Sequence, residues 1–326
     1  MKPLLEVDQL KVEIETKKRK VYAVDGVTFH VGHGETVGLV GESGSGKSIT
    51  CRSILQLLPS PGGKVVGGSI TFEGENLLGY SHKQLRQIRG KQIGMVLQDP
   101  MSSLNPVYRI GEQLVETLKT HQKLSRKAAW ERAVELLRQV GIPSPEQRVY
   151  EYPHQLSGGM RQRVMIALAI SCGPKLLLAD EPTTALDVTV QSQVLKLLKS
   201  TQEQMGMGIL IVTHNLGVVA EVCDRVVVLY AGKVMEMATT TELFRAPRHA
   251  YTLGLIRSVP KIESEDKLDG IPGSLPTMTQ KMEGCPFKDR CSFATVECGQ
   301  REHTQLREVA PGHWSACFQH ERMCSG

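Results

Sequence analysis

Gly41-Glu42-Ser43-Gly44-Ser45-Gly46-Lys47-Ser48 is the stretch on which the reading of this chain turns. It follows a short apolar run, Thr36-Val37-Gly38-Leu39-Val40, that reads as a buried strand, and it precedes a helix-like segment over 48–58. Strand, glycine-rich loop and helix in that order form the context of a phosphate-binding P-loop. The three glycines let the backbone wrap closely enough for successive N–H groups to point at one anion, and the new helix adds its positive N-terminal end. Lys47 offers a mobile point charge for the β- and γ-phosphates of a nucleoside triphosphate, and Ser48 a hydroxyl for Mg²⁺.

Length and composition bound the rest. At 326 residues the chain exceeds the usual single-core size, which predicts one large domain with an appendage. A formal net charge of +5 is too mild and scattered to predict nucleic-acid binding, and Lys17-Lys18-Arg19-Lys20 reads as a solvated hairpin turn. The longest uncharged apolar stretch, 164–174, is far shorter than the roughly 20 residues needed to span a bilayer. Glu6 and Asp8 stand where a signal peptide would need an apolar core, so the expectation is an intracellular protein. Cys51, Cys172 and Cys223 read as buried thiols, whereas Cys285, Cys291, Cys298, Cys317 and Cys324 crowd into the last stretch.

Around the loop, 4–14 and 22–31 read as strands of a small antiparallel layer. Tyr22 on the second has two readings, a core aromatic or a platform for adenine. Beyond the P-loop helix, 69–72 reads as a strand, Ser81 caps a short helix, and 92–97 is a strand that breaks at Gln98-Asp99-Pro100. Residues 110–141 carry helical spacing, with Ser125 as N-cap and Gly141 as stop, and belong to an inserted helical subdomain at about 106–172. Then strands at 176–179, 209–212 and 226–229 alternate with helices at 190–203 and 216–222, which predicts an α/β fold with a parallel, doubly covered sheet. Prolines 247, 260, 272 and 276 punctuate a region of low periodicity, so the division expected is 1–245 for the nucleotide-binding domain and 246–326 for a Cys-rich C-terminal extension. One P-loop and no internal repeat give one nucleotide site per chain.

Further segments complete the chemistry. Leu176-Leu177-Leu178-Ala179-Asp180-Glu181 is an apolar strand ending in two carboxylates. Asp180 is placed to hold Mg²⁺, usually through water, and Glu181 to act as general base on the attacking water. Leu156-Ser157-Gly158-Gly159-Met160-Arg161-Gln162-Arg163 opens a helix with Ser and two glycines, a second arrangement that offers backbone N–H groups to an anion. One ATP hardly needs two such loops from one subunit, so this one is expected to serve a nucleotide held elsewhere. With these residues in hand, the chain resembles the ABC transporter ATPases over about residues 4–258. Ser157, Gly158 and Gly159 stand as the signature, Gln98 as the Q-loop glutamine, Ala185-Leu186-Asp187 as the D-loop and His214 as the switch histidine. The fifth signature position is Met160, where many members carry Gln.

The resemblance implies a P-loop ABC ATPase with a RecA-like core, and a mechanism. Two ATPase subunits face head to tail, each ATP lying between the P-loop of one and the Ser157-type loop of the other, with Asp187 among the nucleotide-binding residues. Gln98 would sense the γ-phosphate and Mg²⁺, the segment 99–106 would touch a permease helix, and His214 would hold the γ-phosphate and the attacking water. A buried structural histidine is the alternative for His214. Gln98 to Pro106, Tyr152-Pro153-His154-Gln155 and Ala246-Pro247-Arg248-His249-Ala250-Tyr251-Thr252 look like the oligopeptide, dipeptide and nickel importer branch, although Ala250 replaces that branch's proline. The resemblance then implies two integral-membrane permease subunits, a second homologous ATPase, an extracytoplasmic substrate-binding protein engaged indirectly, and a peripheral place on the cytoplasmic face of the inner membrane. Peptide is the expected cargo, with nickel or another small solute as the alternative. A DNA-acting ABC ATPase would carry long coiled coils between Gln98 and Ser157, which the heptad pattern does not supply.

Cys285, Cys291, Cys298 and Cys317 have intervals C-x5-C-x6-C-x18-C, for which a four-cysteine metal site leads over disulfides. Spacing alone does not choose the metal. The importer branch resembles proteins with a [4Fe-4S] cluster here, which is favoured, with zinc or no metal as the alternatives. Cys324 is surplus and His313 a candidate substitute ligand.

Overall fold

The computed structural model describes residues 2–15, 19–184, 186–259, 270–300 and 304–324. Lys17 and Lys18 of the basic turn, Ala185 of the D-loop segment and Pro260 lie outside the described residues. In chain order the elements are β1 (Leu5–Glu15), β2 (Lys20–Val31), β3 (Thr36–Val40), α1 (Lys47–Ile54), β4 (Gly63–Phe72), β5 (Glu75–Asn76), α2 (His82–Ile88) and β6 (Ile93–Val96). There follow α3 (Pro100–Ser103), α4 (Ile110–Gln122), α5 (Arg126–Gln139), α6 (Pro145–Arg148), α7 (Gly158–Ile170), β7 (Leu176–Asp180), α8 (Val188–Met205) and β8 (Gly208–Thr213). The chain closes with α9 (Leu216–Val222), β9 (Arg225–Tyr230), β10 (Lys233–Thr239), α10 (Thr240–Arg245), α11 (Ala250–Arg257), β11 (Arg307–Ala310) and β12 (His313–Ser315).

Two compact units result. One comprises Met1–Val31, Thr36–Leu78 and Val212–Gly326, the other Gly32–Glu35 and Gly79–Ile211. In the first, β1 alternates, burying Leu5, Val7, Leu10 and Val12, and pairs antiparallel with β2 and β4 in the order β2-β1-β4-β5. This is the antiparallel layer expected from the sequence. The same unit holds the order β11-β12-β10-β9-β3, in which β3 and β9 are parallel and the remaining pairs antiparallel. β3 is buried at all five positions, which is why it reads as an unbroken apolar run. The low periodicity beyond Tyr230 hides two additions: β10, which turns back through Ala231 and Gly232 at positive φ, and the β11–β12 hairpin of the extension. Helix α1 ends at Ile54, short of Leu58, because Gln56 adopts a left-handed φ of 51° ahead of Pro59.

The second unit holds the order β8-β7-β6, with β6 and β7 parallel and both β7 and β8 wholly buried. Its helices are α2 to α8. Ser81 and Gln84 form a capping box at α2, Ser125 caps α5 by accepting the Ala128 N–H, and Gly141 stops the chain at φ 72°. Among the described residues no helix is long and apolar enough to cross a membrane.

Candidate functional site

In the first unit β3 delivers the chain into the glycine-rich loop. At Gly41 an added Cβ would stand 2.1 Å from the Leu229 carbonyl oxygen, and at Gly46, with φ 102°, one would stand 2.5 Å from that of Ala23. Both positions need glycine, for space as well as torsion. The fully buried Ser45 hydroxyl has no hydrogen-bond partner. A buried orphan of this kind, inside a tight cradle, is what a polar ligand satisfies. Lys47 opens α1 and is only 4% exposed; its Nζ donates to the carbonyl oxygens of Gly41 and Glu42, each at 2.8 Å. The ammonium thus folds back across the loop, where an incoming phosphate would meet it. His214 follows the last residue of β8 and is exposed, so the buried structural histidine weighed as its alternative is not what the fold contains. Tyr22 is half-buried on β2; its N–H donates to the Met278 carbonyl at 2.8 Å, and the ammonium groups of Lys20 and Lys281 lie 5.3 and 5.8 Å from its ring.

In the second unit Asp180 ends β7 fully buried, and Glu181 then turns out of the strand at a left-handed φ of 50°, a conformation rare for a residue with a side chain. Gln98, 83 residues earlier, donates through Nε2 to Glu181 Oε2 at 2.9 Å, and Thr184 Oγ1 donates to the same oxygen at 2.8 Å. Gln98 and Glu181 are therefore brought together, and Thr184 is a partner that sequence reading missed. Its position three residues after Glu181 was the available signal. Ser157 caps α7, its Oγ accepting the Met160 N–H at 3.3 Å, and Asp187 caps α8 by accepting the Val190 N–H at 2.9 Å. The two signature glycines differ. An added Cβ at Gly159 would stand 2.7 Å from Val190 Cγ1, whereas one at Gly158 would meet nothing within 4 Å. Packing within the subunit explains Gly159 and does not explain Gly158.

The sequence model of the ABC transporter family matches residues 24–184, and that of the oligopeptide/dipeptide transporter C-terminal region matches 235–298. The oligopeptide transport ATP-binding protein AppD of Bacillus subtilis is 52% identical over 322 residues, covering 98% of each chain. The chain belongs to the ABC transporter ATP-binding family. The dipeptide transport ATP-binding protein DppD of Haemophilus influenzae is 47% identical, covering 94% of this chain and 92% of its own. Among solved structures, the ATP-binding cassette MJ0796, dimeric in a post-hydrolysis state bound to ADP and Pi, is 28% identical with a TM-score of 0.65 over 72% of this chain and 98% of its own.

The C-terminal region of this ABC transporter subunit gathers its cysteines. Cys285, Cys291, Cys298 and Cys317 line one cavity with His249 and Phe293 among its other walls. The Cys298 sulfur accepts the Thr295 N–H at 3.4 Å, and the backbone at Phe287, Phe293 and Gln319 favours the thiolate forms of Cys285, Cys291 and Cys317. Burial pushes the Cys285 thiol up to about 12 and Cys317 to about 11, with the neighbouring cysteines adding to both. Among the described residues no group of three or more His, Cys, Asp or Glu side chains is arranged to hold a metal ion. His313, the candidate substitute ligand, is spent elsewhere: its buried Nε2 lies 2.7 Å from Glu236 Oε1. The histidine that does approach the cysteines is His249, whose Nδ1 accepts the Tyr251 N–H and whose Nε2 lies 4.0 Å from Cys285 Sγ. With Nδ1 accepting, the ring proton sits on Nε2 and faces the sulfur.

Proposed function

We propose that this chain is the ATP-hydrolysing subunit of an importer that takes up oligo- or dipeptides. The observation that carries the reading is near-full-length similarity to oligopeptide and dipeptide transport ATP-binding proteins, together with a P-loop whose lysine and orphaned serine are set for a polyphosphate. The nucleotide-binding domain is taken as 1–245 and the extension as 246–326. Gly41 to Ser48 bind the phosphates, Ser48, Gln98 and Asp180 serve Mg²⁺, and Tyr22 is the adenine platform. Glu181, held by Gln98 and Thr184, takes the proton of the attacking water, and His214 steadies the γ-phosphate. Ser157, Gly158 and Asp187 address the nucleotide of a partner ATPase, a reading favoured by the open space at Gly158 and by the dimeric state of MJ0796. Two permease subunits and a peripheral place on the cytoplasmic membrane face complete the assembly.

For the four cysteines the reading is a [4Fe-4S] cluster, supported by their shared cavity and by the Thr295 N–H···S contact at Cys298, while the described sulfurs are not themselves arranged as a metal-ligand group. Cys285, Cys291, Cys298 and Cys317 would hold it, in a structural role, with zinc as the alternative. The proposed function is tested by reconstituting the chain with its permeases in vesicles and measuring labelled peptide uptake. Glu181→Gln should bind ATP yet cut turnover and uptake by about a thousandfold. Uptake of nickel chelate without peptide would move the cargo to the alternative, and retained turnover would remove Glu181 from the role of base.

A further inference from the structure

A side chain of the cysteine-bearing loop bonds directly to the glycine-rich loop. Arg290 immediately precedes Cys291, and its side chain is only 9% exposed. Nη1 donates to Glu42 Oε2 at 2.9 Å and to Tyr230 Oη at 3.2 Å, and Nε donates to the Pro272 carbonyl at 2.6 Å. Nη2 reaches the carbonyls of Ile271 and Gly273, both at 3.4 Å. One guanidinium therefore ties the second residue of the P-loop to the strap at 271–273. Glu42 is also held from its backbone: its N–H donates to Tyr251 Oη at 2.8 Å, and its carbonyl receives the Lys47 ammonium. Tyr251 and Tyr230 pack edge to face, their centroids 4.7 Å apart, and both lean on Phe287 at 5.2 and 5.3 Å. Phe287, like Arg290, lies in the short loop between Cys285 and Cys291.

We propose that Arg290 is a positioning residue for nucleotide binding, holding the P-loop through Glu42 and cancelling that carboxylate's charge, so that the cysteine-bearing loop sets the ATP affinity of the subunit. This rests on the P-loop reading above. Two physical effects act in the same direction. A loop already held in shape loses less conformational freedom when its N–H groups close on phosphate. A carboxylate left unpaired beside a polyphosphate repels it, and in a partly buried site the screening is weak. Arg290 acts before chemistry, so the effect falls on binding.

The test uses the full chain and measures equilibrium ATP affinity, KM and kcat for wild type, Arg290→Ala, Glu42→Gln and the double variant, with iron and sulfide assayed on the same samples. Arg290→Ala should weaken ATP binding about tenfold, with the change in KM and not in kcat. The double variant should bind ATP more tightly than Arg290→Ala, because the uncompensated charge has gone. A purely structural role predicts no such rescue. If Arg290→Ala does not fold, Arg290→Lys, which keeps the charge and loses the fork, should weaken binding about threefold and stands in for it. Unaltered affinity in the arginine variants, or a double variant no tighter than Arg290→Ala, overturns the inference. A wild-type chain that fails to bind ATP would strike the P-loop reading instead.

Discussion

The P-loop and the cysteine-lined cavity both gather chemistry-bearing groups, and they do so in opposite ways. At the P-loop the groups that face phosphate come from eight consecutive residues, as backbone N–H groups, glycine torsions and one lysine. At the cavity, four sulfurs come from positions spread over 33 residues, on backbone that is mostly short turns and a two-stranded hairpin. A contiguous site is fixed by local geometry and should tolerate the loss of its ligand. A dispersed site depends on whatever joins its pieces, and should not.

The sharpest way to break this contrast is to disable each site and ask what else fails. Lys47→Ala should lower ATP affinity by about a hundredfold or more, since it removes a desolvated charge at the phosphates, while leaving the thermal midpoint of the ligand-free protein nearly unchanged. Nucleotide binding and calorimetry on one preparation decide it, and a large loss of Tm would show that the P-loop is not self-sufficient. Cys285→Ser should have the converse profile. On the proposed cluster, bound iron and visible absorption should disappear and Tm fall by about 5–10 °C, with a smaller, severalfold loss in ATP affinity transmitted through the adjoining loop. A colourless wild-type chain containing only zinc would replace the cluster by the alternative metal without removing the dispersed site.

A further expected effect concerns protons. Burial pushes the His249 pKa down to about 4, below its ordinary value of 6.5. The unfolded chain therefore takes up a proton at a higher pH than the folded one. His249 contributes full stability above about 6.5, and that contribution is lost as pH falls through the interval down to about 4. The loss should amount to about 3 kcal/mol, and His249→Gln should flatten the profile across that window in denaturant titrations.

Legibility in the sequence follows the same division. β3, α9 and the Asp180-Glu181 pair could be read directly, because a buried parallel strand leaves an unbroken apolar run and a capped helix leaves its asparagine or serine. The Gln98–Glu181 contact is not visible in spacing, since 83 residues separate the two, and the resemblance gave each a role without pairing them. β10 escaped notice because Val234, Met235, Glu236, Met237 and Ala238 are all buried, so the strand has no alternation and carries a charge. That charge is the reason His313 could not be placed from sequence: a buried carboxylate needs a partner, and the partner lies 77 residues away. Thr184, His249 and Arg290 act through bonds that only the folded chain creates.

β12 lies against β10, with Trp314 opposite Met237 and Ser315 opposite Glu236. Without it, β10 would present a bare row of amides and carbonyls beside a run of buried apolar side chains, a template onto which a neighbouring polypeptide could dock and propagate. The strand left outermost, β11, is only four residues long and begins with Arg307 and Glu308. The C-terminal appendage thereby acts as a selvedge, keeping the woven sheet from unravelling into its neighbours in a crowded cell.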